Sequence, residues 1–329
     1  MIVSPKYLVK RTIQSIFLIC IAISVLYFGF RLMPGDFTDM LVFDGASQED
    51  VEQIREDWGL NDPLYIQYMD YMTNLATGEA GISTRTREPV TSVALPAMFN
   101  SIILIAPAIT LGYILGSIFG VVAGMNRGSK FERYGIIILF GFGATPIFFM
   151  AVMMIIIFAT NSGLFPTSGY ISPETRRTYV GASWWRIYLT QDFLLHYTLP
   201  FVTIVLRYIF FPSLIMRTSV VEIKDSAHMY YRRIAGIPYV KRLYYIGKHS
   251  SLPVITLYPV SLTQAIGGLV LLEIVFNWPG VGFLLIQSIF SRDFPVLMFV
   301  FSIIVIFIVA ANFIVDLVYS MIDPRISLE

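Results

Sequence analysis

The chain has 329 residues, 56% hydrophobic and 14% charged, with a formal net charge of +1 and a mean hydropathy of +0.70. Soluble domains carry about 25% charged residues, so this composition excludes a water-surrounded globule and points to an all-α polytopic membrane protein. A lone Cys20 excludes an internal disulfide framework, and His196, His228 and His249 lack metal-ligand spacing.

Six stretches are long and apolar enough to cross a roughly 30 Å hydrocarbon core. They are Ile13–Leu32, Met98–Gly124, Tyr134–Thr160, Tyr197–Met216, Pro253–Phe276 and Pro295–Tyr319. Lys6, Lys10 and Arg11 precede the first, but no small-residue cleavage site follows it, which predicts an uncleaved helix. The segment Pro34–Pro96 carries twelve acids against Arg55, Arg85 and Arg87. Within it, Ser47 and Asp50 fit a capping box ahead of Val51, Ile54 and Trp58, and Gly59 ends that stripe. Asp62 and Pro63 then predict the cap and first position of a second helix through Leu64, Tyr68, Tyr71 and Leu75. Asn161–His196, rich in Gly, Pro, Ser and aromatics, is expected to be a loop with short helical turns.

Fourteen of the 23 Lys and Arg fall on one side if the N-terminus is cytoplasmic, so both termini are expected inside. Half of those fourteen lie in Arg217–Leu252: Arg217, Lys224, Arg232, Arg233, Lys241, Arg242 and Lys248, against only Glu222 and Asp225. Asp225 or Ser226 caps a helix there, Gly236 supplies its left-handed stop, and Pro238 opens another short helix. Two readings of this stretch stand on physics alone: a basic surface helix held by anionic lipid, or a docking element for another protein. Tyr230, Tyr231, Arg232 and Arg233 are residue types that anchor interfaces.

No phosphate-binding loop, zincin motif, C-x-x-C or nucleophile elbow occurs, so no enzyme activity is expected of this chain. Acids are nearly missing from the spans, which argues against a proton relay. Arg207 stands in the middle of its span, either as a pathway residue that attracts a carboxylate or as a partner of backbone carbonyls or of another subunit. Glu273, near the outer end of the fifth span, lines the outer gate or serves the structure, and Asp316 reaches the interface or a neighbouring helix. Pro279-Gly280 predicts a tight turn, and Gly267-Gly268 a close helix approach.

Several runs resemble one family. Met216-Arg-Thr-Ser-Val-Val-Glu222 followed by Gly236 and Leu252-Pro253 is similar to the cytoplasmic loop of ABC-importer permeases, specifically the B-type first subunit of the dipeptide/oligopeptide family. Leu272–Gly282, Ser291–Pro295, Asn312–Tyr319 and Asp323–Arg325 resemble its C-terminal third, and Met33–Asp36 and Gly59–Pro63 its first outer segment. Between Lys224 and Ala235 the chain departs from the family's usual acid-Tyr-x-x-x-Ala-Arg-Ala-Lys pattern.

The resemblance implies a type I ABC-importer permease with six transmembrane helices, working in the plasma membrane beside a paralogous permease. It implies two cytoplasmic ATPases holding the ATP and Mg, an extracytoplasmic binding protein delivering a di- or oligopeptide, and no cofactor or nucleic acid bound by this chain. Glu222, Tyr230, Tyr231, Arg232, Arg233 and Gly236 would form the ATPase-coupling loop, with Arg207 and Glu273 as candidate pathway residues. The expected division is 1–33, an outer insertion over 34–97, and a core permease domain over 98–329 containing the loop 217–252. Importers of oligosaccharide, nickel complexes or glutathione look alike within the family, and a self-contained channel or secondary transporter is the alternative from another class.

Overall fold

A computed structural model describes residues 5–32, 52, 55, 59, 61–179, 183–268 and 270–322. In chain order its helices are α1 (Pro5–Arg31), α2 (Leu64–Thr77), α3 (Val90–Met125), α4 (Lys130–Ala144) and α5 (Ile147–Met154), the last running on as a π-helix over Ile155–Asn161. Then come α6 (Pro173–Thr178), a 3-10 helix (Trp184–Leu189), α7 (Gln191–Tyr208), α8 (Phe210–Lys224) and α9 (Ala227–Ile234). The chain continues through α10 (Tyr239–Gly268), α11 (Val270–Val275), α12 (Val281–Phe290) and α13 (Phe294–Ile322). Among the described residues the only strand-like pairing is the bridge Ile82–Pro89. The predicted helix around Ser47–Trp58 lies largely outside the described residues.

Among the described residues four runs are long and apolar enough to cross a membrane: Lys6–Arg31, Val90–Met125, Gln191–Lys224 and Phe294–Ile314. The predicted span Tyr134–Thr160 is not straight, because α4 and α5 meet at a bend of 102° and count as a fifth span only together. Pro146 causes the break. It has no N–H to continue the ladder and holds Thr145 extended, at ψ 130°. The predicted span Pro253–Phe276 falls on the second half of α10 and on α11, neither of which is among those runs. Pro253, Tyr258, Pro259, Ser261, Thr263 and Gln264 dilute its apolar character. The second short helix expected after Pro238 is likewise merged into the 30-residue α10.

Two compact units form, Met1–Phe99 with Phe283–Glu329, and Asn100–Gly282. In the first, α1 packs along α13, and Arg11 Nε donates to Asp316 Oδ2 at 2.7 Å, so Asp316 bonds to a neighbouring helix. Helix α2 starts one residue later than predicted, with Pro63 as its cap, and ends at left-handed Gly78. It clasps α1 through Ser24 Oγ–Tyr68 OH at 2.6 Å and α13 through Tyr71 OH–Ser302 Oγ at 2.7 Å. Buried Asp293 accepts from Ser83 Oγ at 2.5 Å and from the Thr84 N–H at 3.2 Å, closing the loop before Pro89.

The second unit is built on a stripe of glycines. A Cβ on Gly112 would lie 3.2 Å from Val205 O, on Gly116 2.5 Å from Ile209 O, on Gly120 2.6 Å from Ser213 O, and on Gly124 2.7 Å from Val220 Cγ1. The fourfold spacing keeps these positions on one face of α3, so its backbone lies directly on α7 and α8. Dispersion between closely spaced backbones holds helices together where lipid supplies no hydrophobic drive. Around this contact Leu104, Ile109, Ile204, Leu272 and Trp278 are fully buried.

Candidate functional site

The basic loop begins on α8 and is fastened at its base. Arg217 Nε donates to Glu132 Oε1 at 2.7 Å, and its Nη2 reaches the same oxygen. Glu132 is buried and holds a second position at the same time. The Ser129 side chain caps α4 by accepting from the Glu132 N–H at 3.1 Å, while Glu132 Oε2 reaches back to the Gly128 N–H at 2.5 Å. That is a capping-box arrangement shifted by one residue at its return bond. Farther along, Lys224 Nζ donates to Met125 O at 2.9 Å, placing a cation on the carbonyl end of α3. Glu222 is exposed.

Helix α9 follows where expected and Ser226 holds its N-cap position, but the Ser226 hydroxyl donates to Ile223 O at 2.7 Å and makes no cap bond to the helix. At its end Ile237 N–H bonds Arg232 O at 3.2 Å and Gly236 N–H bonds Arg233 O at 3.2 Å. With Gly236 at φ +68°, these are the two bonds of a Schellman stop. The helix has one inward and one outward face. Met229 is 5% exposed, whereas Tyr230, Tyr231 and Ile234 are 62%, 69% and 65% exposed, and Arg233 is exposed too. Arg232 belongs to the inward set. Its guanidinium lies 3.6 Å from the centroid of the Tyr245 ring on α10, and its Nε donates to His228 Nε2 at 3.0 Å. A cation held this closely over an aromatic face fastens α9 to α10 and leaves Arg233 as the free basic group.

Arg207 sits at the centre of the 34-residue run Gln191–Lys224, partly exposed, with its guanidinium 5.9 Å over the Tyr208 ring. Glu273 lies elsewhere and is 2% exposed. Its Oε1 accepts from Ser101 Oγ at 2.6 Å, and the same Ser101 oxygen accepts from the Val281 N–H at 2.8 Å. A Cβ on Gly280 would clash with the Glu273 carboxylate, so the turn at Pro279-Gly280 closes directly on the acid. Trp278 Nε1 donates to Asn100 O at 3.1 Å, Asn100 Nδ2 to Pro279 O at 2.9 Å, and Tyr188 OH to Asn100 Oδ1 at 2.7 Å. Burial, with Tyr170 nearby, pushes the Tyr188 phenol up to about 12, so it remains a donor at physiological pH. This cluster positions a loop.

Among the described residues no group of three His, Cys, Asp or Glu is arranged to hold a metal. Sequence reasoning missed three features: the Glu132 partner of Arg217, the Asn100-Ser101 clamp on the Trp278 loop, and the glycine stripe. The stripe was readable, since Gly112, Gly116, Gly120 and Gly124 recur every fourth residue. The two glycines singled out instead, Gly267 and Gly268, have nothing within 4 Å of a built Cβ and make no close approach.

Residues 112–328 match the family model for the binding-protein-dependent transport system inner membrane component. Residues 4–97 match the model for the N-terminal part of such membrane components. The chain is 31% identical over 324 residues to the oligopeptide transport system permease protein AppB of Bacillus subtilis, covering 97% of this chain and 98% of that protein. It is 29% identical to the dipeptide transport system permease protein DppB of Alkalihalophilus pseudofirmus, over 90% and 91% of the two chains. To the glutathione transport system permease protein GsiC of Escherichia coli K12 it is 28% identical, over 98% of each.

Proposed function

The chain belongs to the family of inner membrane components of binding-protein-dependent transport systems, the ABC-importer permeases, and from that premise we propose that it carries di- or oligopeptides across the membrane as one half of an importer. It is a multi-pass inner membrane protein and a transport subunit, not an enzyme. The observation that carries the peptide reading is similarity over nearly the whole chain to permeases named for oligopeptide and dipeptide transport. The glutathione permease among its relatives keeps a modified tripeptide within the same reading.

The chain has no phosphate-binding loop, so uphill transport needs an energy source in partner subunits. In this reading two cytoplasmic ATPases bind ATP and Mg, a paralogous permease completes the pathway, and an external binding protein delivers the peptide. Helix α9 suits the contact with an ATPase because it is short, ends in a defined stop at Gly236 and presents Tyr230, Tyr231, Arg233 and Ile234 outward. Motion of α9 reaches α10 through Arg232 and Tyr245, and reaches α3 and α4 through Lys224 and Arg217. A packed bundle with such ties switches between arrangements rather than bending smoothly.

The test is uptake by the complete transporter in proteoliposomes, combined with mass spectrometry of the ligand retained by its binding protein. ATP-dependent import of a peptide found in that pocket is the expected result. An oligosaccharide or a nickel complex in the pocket overturns the substrate assignment, and uptake without ATP overturns the importer reading.

A further inference from the structure

Polar groups of α3 and α10 meet in the Asn100–Gly282 unit, beside the helix that carries Arg207. Gly112 of α3 lies against Val205 O and the Tyr208 carbonyl carbon, at 3.2 and 3.4 Å from a built Cβ, so Tyr113 falls beside the Arg207–Tyr208 turn. Tyr113 OH meets Ser261 Oγ of α10 at 2.5 Å and donates to Leu257 O at 3.1 Å. One turn away, Thr110 Oγ1 and Tyr258 OH share a hydrogen bond of 2.7 Å, and the Tyr113 and Tyr258 rings stand edge to face at 5.2 Å. Thr110 is exposed, and Tyr258, Ser261 and Arg207 are partly so. The α7–α8 run is also interrupted here, since Pro212 has no N–H to return to the Tyr208 carbonyl.

Arg207 is a cation at the centre of a span, and among the described residues it makes no ion pair or hydrogen bond. The Tyr208 ring is a weak neighbour at 5.9 Å. A central arginine is tolerated toward the bundle interior or a wet cavity, where it pairs with an acid, an anionic ligand or backbone carbonyls. An interrupted helix beside a charge at mid-membrane is how transporters build substrate stations.

We propose that Arg207, backed by Tyr208, forms a transient mid-membrane station for the C-terminal carboxylate of a transported peptide. This rests on the peptide-importer reading. A guanidinium fork matches a carboxylate. The π-contact is relinquished when the anion arrives and regained when it leaves, which suits a site that must bind weakly enough to release.

The test compares one tripeptide as free acid and as C-terminal amide, imported by the complete reconstituted transporter with its binding protein saturated. Each rate is expressed as variant over wild type, which cancels the binding protein's own preference. Arg207→Gln is expected to slow the free acid by about tenfold, the loss of one charge-assisted hydrogen bond, and the amide by less than about twofold. Arg207→Lys is expected to recover most of the free-acid rate. Subunit co-purification and basal ATPase activity report assembly. Equal losses on acid and amide, as for an arginine paired to a neighbouring subunit, overturn the station, and so does no loss on either. A wild-type transporter that imports another ligand but neither peptide overturns the peptide reading, and the station with it.

Discussion

Arg217 and Glu132 illustrate how one carboxylate serves two elements. Glu132 reaches back to the Gly128 N–H and at the same time holds Arg217 where the cytoplasmic loop departs. Removing one member of a buried pair leaves the other uncompensated, at a cost of about 3–5 kcal/mol when both are buried. Arg217 keeps 25% of its side chain exposed against 7% for Glu132, so Arg217→Ala is expected to cost less, about 2 kcal/mol. Thermal unfolding in detergent should therefore show a lower Tm for Arg217→Ala, with Arg217→Lys between it and wild type. An unchanged Tm would remove the pair from the account. Gly280 is the second sensitive residue. Gly280→Ala drives a methyl into the Glu273 carboxylate and should destabilise by about 1–3 kcal/mol, read in the same melting experiment.

At the scale of elements, the glycine stripe on α3 and the outward face of α9 make contrasting demands. Gly116→Ala and Gly120→Ala put a methyl about 2.5 Å from backbone carbonyls of the opposing helix, which cannot move aside as a side-chain tip can. Both should lower Tm, while Gly141→Ala, with nothing within 4 Å, should leave it level or raise it slightly through helix propensity. Equal melting of all three would mean that α3 does not lie on α7–α8 as closely as described. For α9 the informative variant is Tyr231→Ala with Ile234→Ala, because both side chains are exposed and support no packing. It is expected to reduce co-purification of the ATPase subunits about tenfold or more, as for interface anchors, with the permease's own Tm unchanged. Full retention of the ATPases would rule out docking through this face. Arg232→Ala acts differently, since losing its hold on Tyr245 should loosen α9 and uncouple ATP hydrolysis from uptake rather than abolish association.

For the whole molecule, charge segregation predicts an orientation that labelling can check. In a Cys20→Ser background, Arg233→Cys should react with a membrane-impermeant maleimide only in inverted vesicles, and Glu174→Cys only from the outer face. The reverse pattern would invert the topology and move α9 away from any cytoplasmic ATPase. Much of this architecture was legible because lipid is an undemanding solvent: apolar length marks a span and clustered Lys and Arg mark a side. Helix α9 was legible too, since its stop at Gly236 acts through local backbone chemistry. The bend at Pro146 hid inside an otherwise continuous apolar run, and two expected elements merged into α10 because its helix continues through Pro253 without a break.

Composition and local pattern alone determined that this is a helical membrane protein, that its positive side holds a basic loop, and that the loop contains a short helix with a defined stop. Those conclusions need only solvent transfer and bonds between residues a few positions apart. Tertiary structure decided which charges are free and which are spoken for. It turned Arg232 inward onto Tyr245, buried Glu273 beneath the Trp278 loop, matched Arg217 to Glu132, and left Arg207 over a single ring at mid-span. Each depends on a partner far away in the chain, and the free energy of a charge in a low-dielectric interior is set by that partner rather than by its sequence neighbours.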